Sequence, residues 1–448
     1  MKDSYTDGFF NVSKENGFLP KRQPLSRLPE KYNSIQNIID NIPEIVKGNK
    51  DFNSYLTFLH NLNTLVKNET DEFLIQALYR AYSFITATYV LLPSHREIMS
   101  SGNYGEALGR VPDYLSIPLH TLAEKLDVFP WLEYHYGYGL GNYHTKDGTD
   151  NMEWDNLDAS CKFTGSSDET GFILSHVYIN IRSNDLVGNI FDVLNTDNFS
   201  KLKELYEVMV DMNKRRQIMW KVSNYKNYTH FRTFIMGIKD NKDIFPNGLV
   251  FEGVSEDPIE YRGETGAQDD IIPTCDIFSG VTKYYPENKL TDYLMDLRKY
   301  RPKCVQAFFK DLEEECKESV FEKLKKANDY ENMVYLLAFV NEIYNFRSGH
   351  WQFVLKYIMK NTKYSKATGG TPITTWLPNQ IEACLLYEQE LIKYIGDNND
   401  SKLYNDIKNS FTMKVDILNN QMTEISKNDF NIDIVCKINN DLCDKDFV

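Results

Sequence analysis

The feature that most constrains the fold is a helical spacing of apolar residues, which is clearest between residues 34 and 46. Five isoleucines, at 35, 38, 39, 42 and 45, recur there at helical intervals. Because an α-helix repeats every 3.6 residues, these side chains share one face, which must pack against other apolar groups. Similar patterns predict helices over 52–66, 71–92, 112–126, 171–194, 199–222, 228–239, 290–326 with a break near Pro302, 332–360, 373–395 and 403–425, and an extended segment over 248–254. The sequence therefore predicts a mostly α protein.

One stretch interrupts the helical pattern and suggests a domain boundary. Between Phe129 and Gly171 the chain contains six glycines and a dense set of tyrosines, which break any helical period. A loop-rich junction with a short hairpin is predicted there. We expect a smaller N-terminal helical domain over 1–163 and a larger all-helical domain over 164–448, with no role assigned to the tail at 397–448.

Charge and cysteine content narrow the functional class. The 448 residues include 50 Lys and Arg against 64 Asp and Glu, a formal net charge of −14. This balance argues against nucleic acid, whose phosphates are bound mainly by Lys and Arg, and against an anionic membrane surface. No apolar run approaches the roughly 18 residues of a membrane span, and the polar N-terminus is no secretory signal. Seven cysteines without a C-x-x-C pair are typical of a reducing compartment, so a cytoplasmic protein is expected.

Most short motifs in the sequence do not indicate a catalytic or metal-binding site. Ser175 and His176 are neighbours on a predicted helix and point in different directions, so they are no nucleophile–base pair. The basic run Lys214-Arg215-Arg216 is interpreted as a solvated helix face. The eight histidines include no pair at i, i+4 and no H-x-H, so a metal site with several histidine ligands has no local signature.

A metal site that needs only one protein ligand remains open. Haem is such a case, because the porphyrin supplies four nitrogens and the protein one axial imidazole. His350 lies late in a long apolar helix, and Arg347 lies one turn before it on the same face, where a guanidinium could bind a propionate. A lone histidine in an apolar helix is more often a core residue, so the spacing leaves both interpretations open.

Five segments, in family order along the chain, resemble the indoleamine 2,3-dioxygenase family. They are GFLP at 17–20, NGLVFEGVSEDP at 247–258, RGETGAQ at 262–268, FRSGHWQFVLKYI at 346–358 and ATGGTP at 367–372. The fourth is similar to the family's proximal haem-binding helix, the third to its active-site loop and the fifth to its Gly-Gly-Thr loop. Together they extend over about residues 15–396 and leave the tail unmatched.

The resemblance implies a cofactor and its ligands. One haem b per chain would be bound through His350 as the proximal iron ligand. Arg347 would bind a haem propionate, with Asp276 as its ion-pair partner. The domain at 1–163 would cover the distal side of the pocket.

The resemblance also implies a substrate pocket. Arg232 would hold the substrate carboxylate, and Phe172 and Tyr134 would form apolar walls around an indole. Thr265 and Thr368 would lie on loops near the ammonium and carboxylate groups, and the glycines at 369–370 would let their loop close over the site.

Three departures from the family pattern bear on substrate range and rate. Where mammalian members carry a distal serine, this chain has His176, which could hydrogen-bond dioxygen or the indole N–H, or ligate ferric iron. Where they carry a phenylalanine five residues before the arginine, it has Asn227, with Tyr228 next to it. The active-site loop reads Gly263-Glu264 in place of two glycines.

The implied activity is haem-dependent cleavage of the indole 2,3-bond of L-tryptophan, or of a related indoleamine, by O₂. The product would be N-formylkynurenine, at the start of the kynurenine pathway towards NAD. The reaction is expected to need no acid–base residue. The enzyme is expected to be a monomer. One rival is a haem protein of the same fold with an altered substrate or a sensing role. The other is a haem-free helical interaction protein in which His350 belongs to the core.

Overall fold

The computed structural model describes residues 1–60, 62–287, 289–359, 368 and 373–427. Helices account for most of these residues, which confirms the predicted mostly α class. The α-helices are α1 (Asn33–Val46), α2 (Phe52–Leu56), α3 (Asn63–Lys67), α4 (Glu72–Ser101), α5 (Asp113–Leu126), α6 (Ser167–Asn180), α7 (Ser183–Thr196), α8 (Lys201–Arg216), α9 (Met219–Val222), α10 (Thr229–Arg232), α11 (Ile271–Ser279), α12 (Lys289–Leu297), α13 (Lys303–Glu315), α14 (Val320–Ala327), α15 (Tyr330–Val354), α16 (Ile373–Ile395) and α17 (Lys402–Lys427).

The strands within the described ranges are short and pair two by two. They are β1 (Ser4–Thr6), β2 (Asn11–Ser13), β3 (Arg110–Val111), β4 (Tyr143–Thr145), β5 (Leu157–Ala159) and β6 (Val250–Phe251). The β1–β2 and β4–β5 pairs are antiparallel, whereas β3 pairs with β6 in parallel. Strand β6 lies inside the predicted extended segment.

Helix α4 is the buried centre of the N-terminal half. Asp71 caps its N-terminus by accepting a hydrogen bond from the Leu74 N–H, and Gly102, whose φ of 77° suits a glycine, follows its last residue. Nearly every side chain along its first two-thirds is buried, as expected of a helix that is apolar on all sides. The isoleucine face of α1 packs against it, so the face predicted from the spacing does face the core.

Several predicted helices are divided or shortened. The segment predicted over 171–194 forms α6 and α7, and the segment predicted over 199–222 forms α8 and α9. The segment predicted over 52–66 splits into α2, a 3₁₀ turn and α3. The segment predicted over 228–239 contains only α10 and a 3₁₀ turn, because the backbone N–H groups of Gly237 and Ile238 donate to the C=O groups of Thr368 and Tyr261 instead. These long-range bonds replace the helical ones and draw three distant segments together.

The junction at 129–171 contains the predicted hairpin, formed by β4 and β5. It also contains a π-helical turn at 134–138, whose first backbone N–H groups are capped by one carboxylate. The Glu133 side chain accepts hydrogen bonds from the N–H groups of His135, Tyr136 and Gly137, at 2.6–2.7 Å. The tyrosines of this turn are buried, so the segment is part of the core. The domain boundary at residue 163 stays a prediction.

Helix α15 organises the C-terminal half. It packs between α8 and α16, and α6 packs on α8 beside it. Among the helices of the described chain, none combines the length and apolarity needed to cross a membrane. The candidate site lies near the C-terminal end of α15, where α6 and α8 approach it.

Helix α17, in the predicted tail, docks on α15 and α16. Lys414 donates a hydrogen bond to the carboxylate of Glu388 at 2.8 Å and a second to the side-chain oxygen of Asn341. Both ends of the Lys414–Glu388 pair are buried, and burial raises the pKa of Glu388 even with Lys414 beside it. The remainder of the tail, 428–448, lies outside the described residues.

Candidate active site

Two adjoining cavities lie near the end of α15. The empty space is about 1210 Å³ at the first and about 760 Å³ at the second, and both volumes include space that is open to solvent. They share six lining residues: His176, Met219, Gly266, Ala267, His350 and Phe353. These shared walls show that the cavities are two parts of one site, bounded by α6, α15 and the loop before α11.

His350 faces both cavities from α15. Protein surrounds the imidazole, but part of its surface is accessible from the cavity, and neither ring nitrogen has a hydrogen-bond partner within the described chain. Burial lowers the pKa of His350 to about 4, and the nearby Arg216 guanidinium acts in the same direction. The imidazole is therefore neutral at pH 7, which is the form that can coordinate a metal ion.

Arg347 and Asp276 form the ion pair that the resemblance implied. Arg347 Nη1 lies 2.9 Å from Asp276 Oδ1, and Nη2 contacts Oδ2, so the pair is bidentate. The Tyr285 hydroxyl accepts a further hydrogen bond from Nη2, at 3.1 Å. All three side chains line the first cavity, so the charged end of α15 is fixed at its wall. The role of Arg347 towards a propionate stays a prediction.

His176 lies on α6, which Ser166 caps by accepting a hydrogen bond from the Glu169 N–H. Its ring packs edge-on against Phe172 and Tyr134, with centroids 5.2 and 5.6 Å away. Burial lowers the pKa of His176, so this imidazole is also neutral at pH 7. Two neutral imidazoles thus face the same pair of cavities.

The second cavity has an aromatic wall. Phe172 packs on Tyr228 at 5.3 Å between centroids, and both side chains line the cavity together with Tyr357. Asn227 lies elsewhere, since its side-chain amide donates to Asp168 at 2.7 Å. Asn227 therefore adds no ring to this wall, and its neighbour Tyr228 supplies an aromatic side chain instead.

Tyr134 lies behind His176. Its buried hydroxyl donates to Asp269 Oδ2 at 2.6 Å, and it is not among the described residues that line either cavity. Since its ring supports the imidazole edge, Tyr134 orients His176. A direct contact with an indole stays a prediction.

Arg232 lies buried at the end of α10, beside the aromatic wall. Its Nη1 is 3.4 Å from the Tyr104 hydroxyl, and its charge acts on Tyr228, whose pKa is nevertheless raised by burial. The guanidinium thus lies against Tyr228, which lines the second cavity, and Arg232 itself is not among the described residues that line it. This placement is compatible with a carboxylate partner, and that role stays a prediction.

Thr265 and Thr368 line the second cavity on adjoining loops. Thr368 Oγ1 donates to the backbone C=O of Glu264 at 2.6 Å, while Thr265 caps the short turn that follows it. Glu264 itself is buried on the cavity wall, and burial, with the charge of Glu133 nearby, raises the pKa of Glu264 to about 8. The predicted glycine hinge at 369–370 lies outside the described residues.

The interpretation of Arg216 as part of a solvated face is wrong. Arg216 is buried on the wall of the first cavity, 5.5 Å from the ring centroids of Phe346 and Phe353. Its Nε and Nη1 have no hydrogen-bond partner within the described ranges, and burial lowers the pKa of Arg216 to about 10. A signal was available, because Arg216 continues the buried stripe of α8 through Met209 and Met212 at intervals of three and four.

Known proteins resemble this chain over most of its length. The family described as Indoleamine 2,3-dioxygenase matches residues 7–388. Indoleamine 2,3-dioxygenase 1 of Rattus norvegicus is 24% identical over 393 residues, which cover 82% of this chain and 92% of the relative. Indoleamine 2,3-dioxygenase 2 of Homo sapiens is 24% identical over 374 residues, or 81% of this chain and 86% of the relative. A myoglobin of Haliotis madaka is 22% identical over 363 residues, or 79% and 89%. A match that takes in both cavity walls and the helix carrying His350 makes this chain a member of the indoleamine 2,3-dioxygenase family, and with it an oxidoreductase of the dioxygenase class.

Proposed function

We propose that the protein is a haem-dependent dioxygenase that cleaves the indole 2,3-bond of L-tryptophan with O₂ to give N-formylkynurenine. The observation that carries the proposal is His350, a neutral imidazole that faces two joined cavities and has no hydrogen-bond partner in the described part of the chain. A core histidine would have a satisfied ring nitrogen, so the absence of a partner among the described residues argues against the haem-free interpretation.

The first cavity fits a flat, apolar group that carries carboxylates. Its wall joins apolar side chains to several arginines, and two nitrogens of buried Arg216 lack partners. Buried donors of this kind need a ligand or water to satisfy them. One haem b would be held by His350 through iron and by Arg347 and Arg216 near its propionates. Bound ferrous haem supplies the site at which O₂ is activated.

The second cavity fits the indole and its amino-acid end. Phe172 and Tyr228 would pack on the ring, Arg232 would bind the carboxylate, and Thr265 and Thr368 would contact the polar end. Neutral His176 would accept a hydrogen bond from the indole N–H through its unprotonated ring nitrogen, or donate one to dioxygen through its own N–H. The chain's work would be orientation and exclusion of water. We also propose that residues 1–163 cover the distal side, and that the enzyme acts as a cytoplasmic monomer.

Reconstitution tests the proposal directly. The chain is loaded with haemin, reduced, and incubated with L-tryptophan and O₂, and N-formylkynurenine is measured. His350→Ala should lose stoichiometric haem and its Soret band, whereas His60→Ala, the same change at an exposed position, should keep both. Full haem loading of the parent without product at saturating tryptophan would refute the activity.

A second candidate is a haem protein of the same fold with another substrate or a sensing role. Two observations favour it: neutral His176 faces the same cavities as His350, and one relative is named a myoglobin. If His176 also ligates the ferric iron, the haem-loaded ferric protein should show a low-spin spectrum that His176→Ser converts to high spin. A high-spin parent that forms product would exclude this candidate.

A further inference from the structure

A buried carboxyl group on the wall of the second cavity has no hydrogen-bond partner among the residues that the structure describes. Glu264 is 2% exposed, and among the described residues the hydrogen bond it makes is accepted by its backbone C=O, from Thr368. The carboxyl oxygens take part in no hydrogen bond or ion pair with that part of the chain. Burial and the charge of Glu133 disfavour the ionised form, as the raised pKa of Glu264 indicates. A carboxyl in this setting is stabilised by a ligand that brings positive charge.

The opposite charge is close at hand. Tyr228 lines the same cavity, Arg232 lies against it, and the charges of both Arg232 and Glu264 act on its hydroxyl. A carboxyl group on the cavity wall and a guanidinium behind that wall therefore both lie near the Tyr228 hydroxyl. A ligand that carries only a carboxylate would be attracted by Arg232 but repelled by ionised Glu264. An α-amino acid offers one charge to each.

We propose that Glu264 is a specificity-determining residue that binds the α-ammonium group of the substrate, so that the site selects indole amino acids over indole carboxylic acids. The inference rests on the proposed function, which supplies the indole and assigns the carboxylate to Arg232. Hydroxyl groups such as those of Thr265 and Thr368 cannot neutralise an ammonium group, whereas a carboxylate can. A buried charge-assisted hydrogen bond of this kind changes a dissociation constant by about 10- to 100-fold.

The test compares two ligands that differ only in the ammonium group, L-tryptophan and indole-3-propionate. Their dissociation constants are measured by equilibrium dialysis on haem-loaded ferric protein. The parent should bind L-tryptophan about 10- to 100-fold more tightly. Glu264→Gln should remove most of this preference by weakening tryptophan. Glu260→Gln is the matched control, because Glu260 lies on the same segment, paired with Lys242 outside the cavity, and it should keep the preference.

A Glu264→Gln protein that keeps the parent's preference, with an unchanged Soret band and unfolding midpoint, would overturn the inference. If that variant does not fold, Glu264→Gly removes the same carboxyl and should give the same loss. Equal binding of both ligands by the parent would overturn the inference without any variant. Turnover is scored separately: a parent with the preference but no N-formylkynurenine would refute the proposed activity and leave the Glu264 assignment intact.

Discussion

The buried ion pair that docks α17 gives the sharpest stability prediction. Lys414→Met removes the only cation that the described residues place on Glu388, whose carboxyl is fully buried and already has a raised pKa. Removing one partner of a buried pair costs about 3–5 kcal/mol, because the other charge is left uncompensated. Here the carboxyl can take up a proton instead, so we expect a loss of about 3 kcal/mol at pH 7.5.

Urea unfolding followed by circular dichroism measures this loss. It should shrink at pH 5.5, because a protonated carboxyl needs no counterion. Replacing Glu388 by Met as well should recover most of the stability, since an apolar pair needs no compensation. Lys402→Met, an exposed change on the same helix, should stay within about 0.5 kcal/mol of the parent. A Lys414→Met protein as stable as the parent would show that the pair does not hold α17 in place.

Three further predictions concern the core and the cavities. Gly237→Ala should destabilise the protein by about 1–3 kcal/mol in urea unfolding, because an added Cβ would lie 2.1 Å from the backbone nitrogen of Gly263, and tolerance would mean that this loop can move. The pKa of buried His135 is lowered by burial but raised overall, from 6.5 to about 9, chiefly by Asp270. Because the folded-state pKa is raised, protonated His135 stabilises the fold fully below pH 6.5, and this stabilisation is lost as the pH rises through about 9. The free energy of unfolding should therefore fall by up to about 3 kcal/mol over this window. A His135→Gln protein whose stability falls just as steeply with pH would refute this cause. Arg216→Leu should leave haem-free stability within about 1 kcal/mol but weaken haemin binding about tenfold in a titration, and unchanged haemin affinity would remove Arg216 from the haem site.

The spacing of apolar residues predicted those helices whose buried face is determined by their own sequence. The isoleucine face of α1 and the buried length of α4 follow from spacing, because each helix presents its apolar side chains to its neighbours. The segment at 228–239 fails for the opposite reason. Its backbone groups bond to Thr368 and to Tyr261, and no local pattern encodes partners so distant along the chain.

The residues of the candidate site also fall into those that the sequence predicts and those that depend on the folded structure. His350, Arg347 and Asp276 follow from the family resemblance, and the structure brings all three to one cavity. Arg216 was not predicted to lie at the site, because a charged residue at the end of a basic run usually faces solvent. Its burial depends on the packing of α8 against α15. Glu264 departs from the family pattern, but the sequence assigns it no role, since the lack of a carboxyl partner among the described residues is a property of the folded cavity.

The backbone bonds around the second cavity have a consequence for engineering. Gly237 donates to the C=O of Thr368, and Thr368 in turn donates through its hydroxyl to Glu264, so segments separated by more than a hundred residues are joined edge to edge. A loop transplanted alone from a relative would leave its neighbours' amide and carbonyl groups without acceptors or donors. Chimaeras that aim to change substrate choice should therefore exchange all three segments as one unit.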